Sequence, residues 1–345
     1  MQKNTITIGS YKIGDEYPSF IVSEIGAMYE NIEGMYKLID ISKEAGVDAV
    51  KIQTYKAETI TGAHAEFEFE DGTKMSQFEF FKQYEISEIN HKLLFEYAKS
   101  KGILIFSTPS DYEDVDFLDS LGVLAFKTGS DDLTNHPFLK YIANKNKLMI
   151  ISTGMSTISE IYEAVETIKS TGNNNIILLH CTVSYPVSYD QANLNVIQSL
   201  KQIFGLCVGY SNHVPDILAP TLASSLGANV IEVHVTLDKS LKRPDYQVSF
   251  DPEELKQLVR QIRYVAVLSG SSMKTITQSE HKWRKNSRKS IYTSKSMKKG
   301  EIIKWEDLKI IRPGFGLQPK YIDLFVGKEL KKNMNENELI DFDSI

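Results

Sequence analysis

Short, almost wholly apolar runs alternate along this chain with longer amphipathic ones. Eight of the short runs read as strands: FIVSEIG (20–26), AVKIQT (49–54), ILIFST (103–108), AFKTGS (125–130), LMIIST (148–153), IILLHCT (176–182), LCVGYS (206–211) and VIEVHV (230–235). A helix-like stretch follows each, over 32–45, 87–100, 111–121, 135–145, 156–171, 193–203, 215–226 and 252–268. In the first of these, Met35, Leu38, Ile39 and Ile41 form an apolar stripe that stops at Gly46. Near-continuous apolar strands are what burial on both faces requires. Eight such units predict an α/β fold, a (β/α)8 TIM barrel; an open doubly wound sheet is the competing architecture. Polar residues near the strand ends favour the barrel: Glu24, Lys51, Thr108, Lys127, Ser152, Thr182, Ser211 and His234. A barrel gathers every strand end at one mouth, whereas an open sheet concentrates its site at one switch point.

The flanks break the repeat. Residues 5–20 read as a short hairpin with Gly9 and Gly14 in its turns. The stretch from Tyr55 to Glu85 is long for a barrel loop and carries FEFEDGTKMSQFEFF. It either covers a ligand or packs its phenylalanines on the barrel rim. After Ser269, GSSMKTITQSEHKWRKNS has no sustained period. The expected layout is a catalytic barrel with its hairpin over 1–270, a linker over 271–287, and a small β-rich domain over 288–345. So small a unit is expected to dock on something.

Within the central unit around CVGYSNHVPDILAPTLASSLGANVIEVHVTLD (207–238), Pro215 is expected to open a helix and Gly227 to close it. Parallel strands joined by a helix end on the same side of a sheet. His213 and His234 therefore belong at one edge, where two imidazoles could hold a divalent metal. Two unrelated strand-end histidines are the alternative. Lysines inside apolar strands are costly without a partner. Lys51 and Lys127 thus imply an anion in the mouth, unless each pairs with a neighbouring carboxylate.

Composition narrows the classes. A formal charge of −6 offers no electrostatic footprint for nucleic acid. No apolar run is long enough to span a membrane, and the opening MQKNTITIGSYKIGDEY lacks a signal peptide's apolar core. Cys181 and Cys207 both fall in strand-like runs, so buried thiols are expected, with no disulfide framework and a cytoplasmic location.

Taken in order, SEIG (23–26), EAGVDAVKIQT (44–54), FSTP (106–109), KTGS (127–130), STGM (152–155), LLHCTVSYP (178–186), GYSNH (209–213), IEVHVTLD (231–238) and PDYQVSF (244–250) resemble the bacterial sialic acid synthase family. These nonulosonate synthases condense phosphoenolpyruvate with an amino sugar. SKSMKKGE and IRPGFG resemble the family's C-terminal antifreeze-like (SAF, β-clip) domain. The resemblance implies a divalent metal on His213 and His234, often manganese, with magnesium or cobalt as alternatives. It implies a phosphoenolpyruvate site of Lys51, Thr108, Lys127, Ser130, Ser152 and Ser211. Glu24 matches a carboxylate suited to acid–base work. Asp132, Tyr185 and Asp245 match residues on the sugar side. Arg312 matches an arginine delivered into the partner's active site by a swapped C-terminal domain, which implies a homodimer. Thr108 or Ser152 alone could equally satisfy a strand-end backbone group.

The departures are local. The family usually has Asn-His where this chain has Met28-Tyr29, Gly-Ser-Gly-Glu where it has Gly129-Ser130-Asp131-Asp132, and Gly-Pro-Asp-His where it has Arg243-Pro244-Asp245-Tyr246. All fall on the acceptor side. The expected acceptor is therefore N-acetylmannosamine or, more in keeping with these changes, a 6-deoxy diamino sugar of the legionaminic or pseudaminic type. Two other readings compete. One is a related phosphoenolpyruvate-dependent synthase of 2-keto-3-deoxy sugar acids, which usually lacks the C-terminal domain. The other is a barrel that only binds sugar, which would have no need of two costly lysines.

Overall fold

The computed structural model describes residues 4–26, 29, 31–68 and 73–345. Met28, one of the departures above, lies outside the described residues. The chain divides into two compact units, Met1–Gly270 and Ser271–Ile345.

The first unit is a closed barrel of eight parallel strands. They are β1 (Phe20–Glu24), β2 (Ala49–Thr54), β3 (Leu104–Pro109), β4 (Ala125–Thr128), β5 (Leu148–Ser152), β6 (Ile176–Cys181), β7 (Cys207–Asn212) and β8 (Val230–His234). Each pairs with its neighbour in sequence, and β8 closes on β1 through His234 and Glu24. The helices that alternate with these strands around the barrel are α1 (Ile32–Ala45), α2 (Glu88–Lys101), α3 (Tyr112–Ser120), α4 (His136–Ala143), α5 (Ile158–Lys169), α6 (Val196–Phe204), α7 (Leu218–Ser225) and α8 (Pro252–Ser269).

A period of two sorts each strand between two cores. On β5, Leu148 and Ile150 join the cluster inside the barrel, whereas Met149 and Ile151 join the one beneath the helices. On β8, Val230 faces inward and Ile231 and Val233 outward. The same parity carries Glu232 and His234 inward above Val230. Gly209 lies on the inward face of β7, where a Cβ would stand 2.5 Å from the Val230 carbonyl and 2.6 Å from Leu179. Any other residue would push β7 and β8 apart.

The hairpin pairs Ile6–Ile8 with Tyr11–Ile13. Ile8 and Ile13 are buried against Phe20, Leu148 and Cys207, at the starts of their strands. The hairpin thus plugs the N-terminal end of the barrel, and the Cys207 thiol faces the Asn4 and Ile13 carbonyls beneath it.

α7 begins at Leu218, not at Pro215. The Asn212 amide brackets Val214, donating to its carbonyl (2.8 Å) and accepting from its N–H (3.2 Å). Asp216 Oδ1 then accepts from Leu218 N–H at 2.7 Å and starts the helix. Gly227 ends it with φ +94°.

The second unit holds strands Ser290–Thr293 and Leu308–Ile311, paired antiparallel, around a core that includes Ile291, Ile303, Phe325, Leu330 and Ile340. The stretch expected to be a linker carries a helix, Gln278–Ser287. Its start is a capping box: the Glu280 carboxylate accepts from Thr277 N–H (2.8 Å) and Thr277 Oγ (2.9 Å). The helix buries none of its residues, which is why its sequence shows no apolar period.

Candidate active site

The C-terminal ends of the strands open into a cavity of about 900 Å³. Inward parity brings Glu24, Lys51, Thr108, Lys127, Ser152, Cys181, Ser211, Glu232 and His234 to this end of the barrel; Glu24, Lys51, Thr108, Lys127, Ser152, Cys181 and Glu232 each continue the face of an apolar residue two positions earlier, whereas Ser211 follows Gly209 and His234 follows Glu232.

Four charges meet there, all buried. The Lys51 ammonium contacts the Glu24 carboxylate and lies 3.6 Å from Glu232 Oε1. Lys127 lies 3.7 Å from the same oxygen. Lys51 donates to Thr108 Oγ1 at 3.3 Å, and Lys127 to Ser152 Oγ at 2.6 Å and the Thr128 carbonyl at 3.1 Å. Ser211 Oγ donates to Glu232 Oε1 at 3.0 Å. Glu24 also accepts from Gly26 N–H at 2.6 Å. A Cβ on Gly26 would fall 2.5 Å from that oxygen, so glycine is required there.

The titration follows from this geometry. Burial pushes the Glu232 carboxyl up, but Lys127 and Lys51, helped by His234 and Ser211, outweigh it and hold it at about 2. Burial pulls Lys51 down, yet Glu232 and Glu24 together keep it above the ordinary lysine value. Burial and the Lys51 charge leave Lys127 below its ordinary value, despite Glu232. The alternative weighed for the lysines, pairing with carboxylates, is thus what the structure shows. Their presence alone does not demand an anion.

Beside this quartet the His213 and His234 rings lie 5.3 Å apart between centroids, inclined at 55°. His213 Nδ1 lies 2.8 Å from the Thr182 carbonyl. A carbonyl only accepts, so Nδ1 carries the proton and the lone pair sits on Nε2. Burial, then His234, lower the His213 pKa to about 3, so it is neutral at ordinary pH. His234 Nδ1 is buried with no hydrogen-bond partner, 3.5 Å from the Asp245 carboxylate. Two imidazoles bound to one ion at about 2.1 Å place their centres about 5 Å apart. The pair fits a divalent metal on spacing, tautomer and the orphaned nitrogen. No group of three or more His, Cys, Asp or Glu residues is arranged as ligands among the described residues. Remaining coordination would fall to water or substrate.

The other expected residues fall as follows. Tyr185 packs on His213 with centroids 4.1 Å apart. Ser130 Oγ accepts from Gly154 N–H at 3.0 Å and lines the cavity. Asp245 arrives on the loop after β8, at φ +57°. Asp131 lines the cavity, whereas Asp132 accepts from the Asn135 amide at 3.1 Å; burial raises its pKa to about 6. Arg312 is exposed in the second unit. Glu232 was not among the expected site residues, although its spacing from His234 signals a shared face. The Tyr55–Glu85 stretch does line the cavity, through Phe67, Met75, Phe80 and Phe81.

Residues 38–274 match the NeuB family and residues 288–345 the SAF domain. The N,N'-diacetyllegionaminic acid synthase of Legionella pneumophila is 42% identical over 331 residues, covering 93% of each chain. A pseudaminic acid synthase of Campylobacter jejuni is 36% identical, covering 91% of this chain and 93% of its own. The crystal structure of the N-acetylneuraminic acid synthetase of Leptospira borgpetersenii matches with TM-score 0.75 and 33% identity, over 81% of this chain and 95% of that one. The chain belongs to the NeuB family, and its second unit carries a SAF domain.

Proposed function

We infer that this protein is a nonulosonate synthase, a transferase that joins phosphoenolpyruvate to an open-chain amino sugar and releases phosphate. The observation that carries this is the buried Lys51–Glu24–Glu232–Lys127 cluster beside the paired histidines. Lys51 and Lys127 seat the phosphate and carboxylate, with hydroxyls from Thr108, Ser130, Ser152 and Ser211. The quartet has no net charge by itself, so a ligand with several negative charges needs further positive charge nearby. A divalent ion, manganese or else magnesium or cobalt, would be held by His213 and His234 and would act as a Lewis acid on the acceptor aldehyde.

C3 of the enol bonds to the aldehyde carbon, and C2 becomes electron-poor. Water adds at C2, and Glu24, fixed by Gly26 N–H and Lys51, is placed for the acid–base work. The C2–O bond to phosphate then breaks, leaving a keto acid and inorganic phosphate. Tyr185, Asp245 and the Asp131–Asp132 turn flank the acceptor side.

The acceptor we infer is a 6-deoxy sugar with two acylamino groups, supported by the likeness to legionaminic and pseudaminic acid synthases and by the acceptor-side departures. Phosphate release with a panel of amino sugars tests this. Turnover is expected with the diamino sugar; turnover with N-acetylmannosamine alone overturns the acceptor, and no turnover with any amino sugar overturns the reaction.

We further infer a homodimer in which Arg312 serves the partner's site, with a fixed guanidinium fork suited to the sugar's polar groups. Arg312→Ala and Lys51→Ala proteins, each inactive alone, are expected to recover about a quarter of wild-type activity when refolded together in equal amounts, since half the dimers are mixed and each holds one intact site. No recovery would mean that Arg312 acts within its own chain, and an Arg312→Ala protein active by itself would mean that it does not act at all. Among the described residues no helix is long and apolar enough to cross a membrane. Use of phosphoenolpyruvate places the protein, in our reading, in the cytoplasm.

A further inference from the structure

The cavity has two walls of opposite character. Asp131, Tyr185, Lys242, Arg243 and Asp245 make a polar side. Ile60, Phe67, Met75, Phe80 and Phe81 give the cavity its apolar side. These belong to the insertion between β2 and α2, which contains a two-stranded ribbon, Glu66–Glu68 with Lys74–Ser76, and a helix, Gln77–Tyr84.

The apolar wall is a built object. Phe67, Phe80 and Phe81 interlock, with centroids 5.6, 6.0 and 5.5 Å apart. Two buried rings pack against them: Tyr55 meets Phe81 at 5.4 Å and Tyr84 meets Phe80 at 5.3 Å. The three phenylalanines are only half-buried and Met75 is 44% exposed, although all four line the cavity. Part of their remaining apolar surface lines the ligand space. Such a surface gains from covering methyl groups and gains nothing from hydroxyls. The floor groups, by contrast, handle an aldehyde and an enol phosphate, which every acceptor of this reaction presents alike.

We propose that this aromatic wall selects the acceptor, seating the C6 methyl of a 6-deoxy sugar and the acyl methyl of its second acylamino group. The proposal rests on the acceptor reading above and names the residues that enforce it. One apolar group in such a pocket is worth about tenfold to 200-fold in kcat/KM.

The test uses the full chain with manganese and an acceptor series that loses one apolar group at a time: 2,4-diacetamido-2,4,6-trideoxymannose, 2-acetamido-2,6-dideoxymannose and N-acetylmannosamine. In Phe81→Gln the ratio of kcat/KM for the first sugar over the last is expected to fall about tenfold or more, with Phe81→Leu retaining most of it. Met75→Gln, at a half-exposed position that the fold tolerates, is expected to lower the ratio in the same direction. The KM for phosphoenolpyruvate, unchanged in all three, reports an intact floor. A ratio that stays constant in both glutamine variants overturns the wall as selector while leaving the reaction in place. A wild-type protein that does not turn over the trideoxy sugar overturns the acceptor reading, and the proposal with it.

Discussion

Glu232→Gln is expected to lose nearly all turnover and a measurable part of the protein's stability. Glu232 is the carboxylate that both buried ammonium groups share, at 3.6 and 3.7 Å. Removing one partner from a buried ion pair typically costs about 3–5 kcal/mol, because the remaining charge is left uncompensated. Lys51 still has Glu24. Lys127 keeps hydrogen bonds to the Ser152 hydroxyl and the Thr128 carbonyl, so its pKa, already lowered, falls further and the neutral amine is favoured. A neutral Lys127 no longer holds a phosphate or carboxylate, and kcat/KM is expected to fall on the order of a thousandfold, about 4 kcal/mol. Urea unfolding and phosphate release measure the two effects separately. Adding Lys127→Met to the same chain is expected to restore part of the stability, since the uncompensated buried ammonium is then gone, without restoring turnover. Wild-type stability in Glu232→Gln would show that the lysines do not depend on this carboxylate.

The same residue gives a pH signature. Its folded pKa of about 2 lies below the ordinary 4.5, so the carboxylate form is favoured by folding. Its contribution is complete above about pH 4.5 and is lost as pH falls through about 2. The stability gap between wild type and Glu232→Gln is expected to be constant above that window and to close within it.

His234→Ala is expected to abolish metal-dependent turnover while the barrel stays folded. The ring lies within contact of Tyr185 and His213, but its Nδ1 has no hydrogen bond to lose, so truncation removes a donor to the ion more than a structural tie. Manganese titration by calorimetry reads the site independently of activity: binding present in wild type is expected to disappear in the variant. Retained binding with retained turnover would show that the ion, if used, sits elsewhere. Loss of folding, seen by circular dichroism, is controlled by His234→Gln, which keeps bulk and polarity without the imidazole.

Much of the barrel was legible because burial on both faces leaves strands almost purely apolar. AVKIQT and the helix 32–45 have their observed bounds, since Asn31 caps one end of that helix and Gly46, in the left-handed region, the other. Convergence of the lysines and histidines also followed from strand ends alone. The pairing did not. Glu232 meets Lys51 and Lys127 only because β8 closes on β1, and closure is a property of the whole ring rather than of any segment. The sequence therefore leaves open whether the lysines face an anion or neighbouring carboxylates, and does not say which carboxylates those are. The Tyr55–Glu85 insertion was ambiguous for a related reason. Its order comes from rings packed across a ribbon and a helix, and such contacts impose no period on the chain. The helix at Gln278–Ser287 was missed because, with no buried face, only its capping box announces it.

The hairpin at the foot of the barrel has a bearing on traffic. With Ile8 and Ile13 corking that end, the described residues leave small molecules a doorway on the side of the histidines and the aromatic wall. In our reading of the site, a ligand on the lysines would use that same doorway, so a sugar seated within it would hold the ligand back.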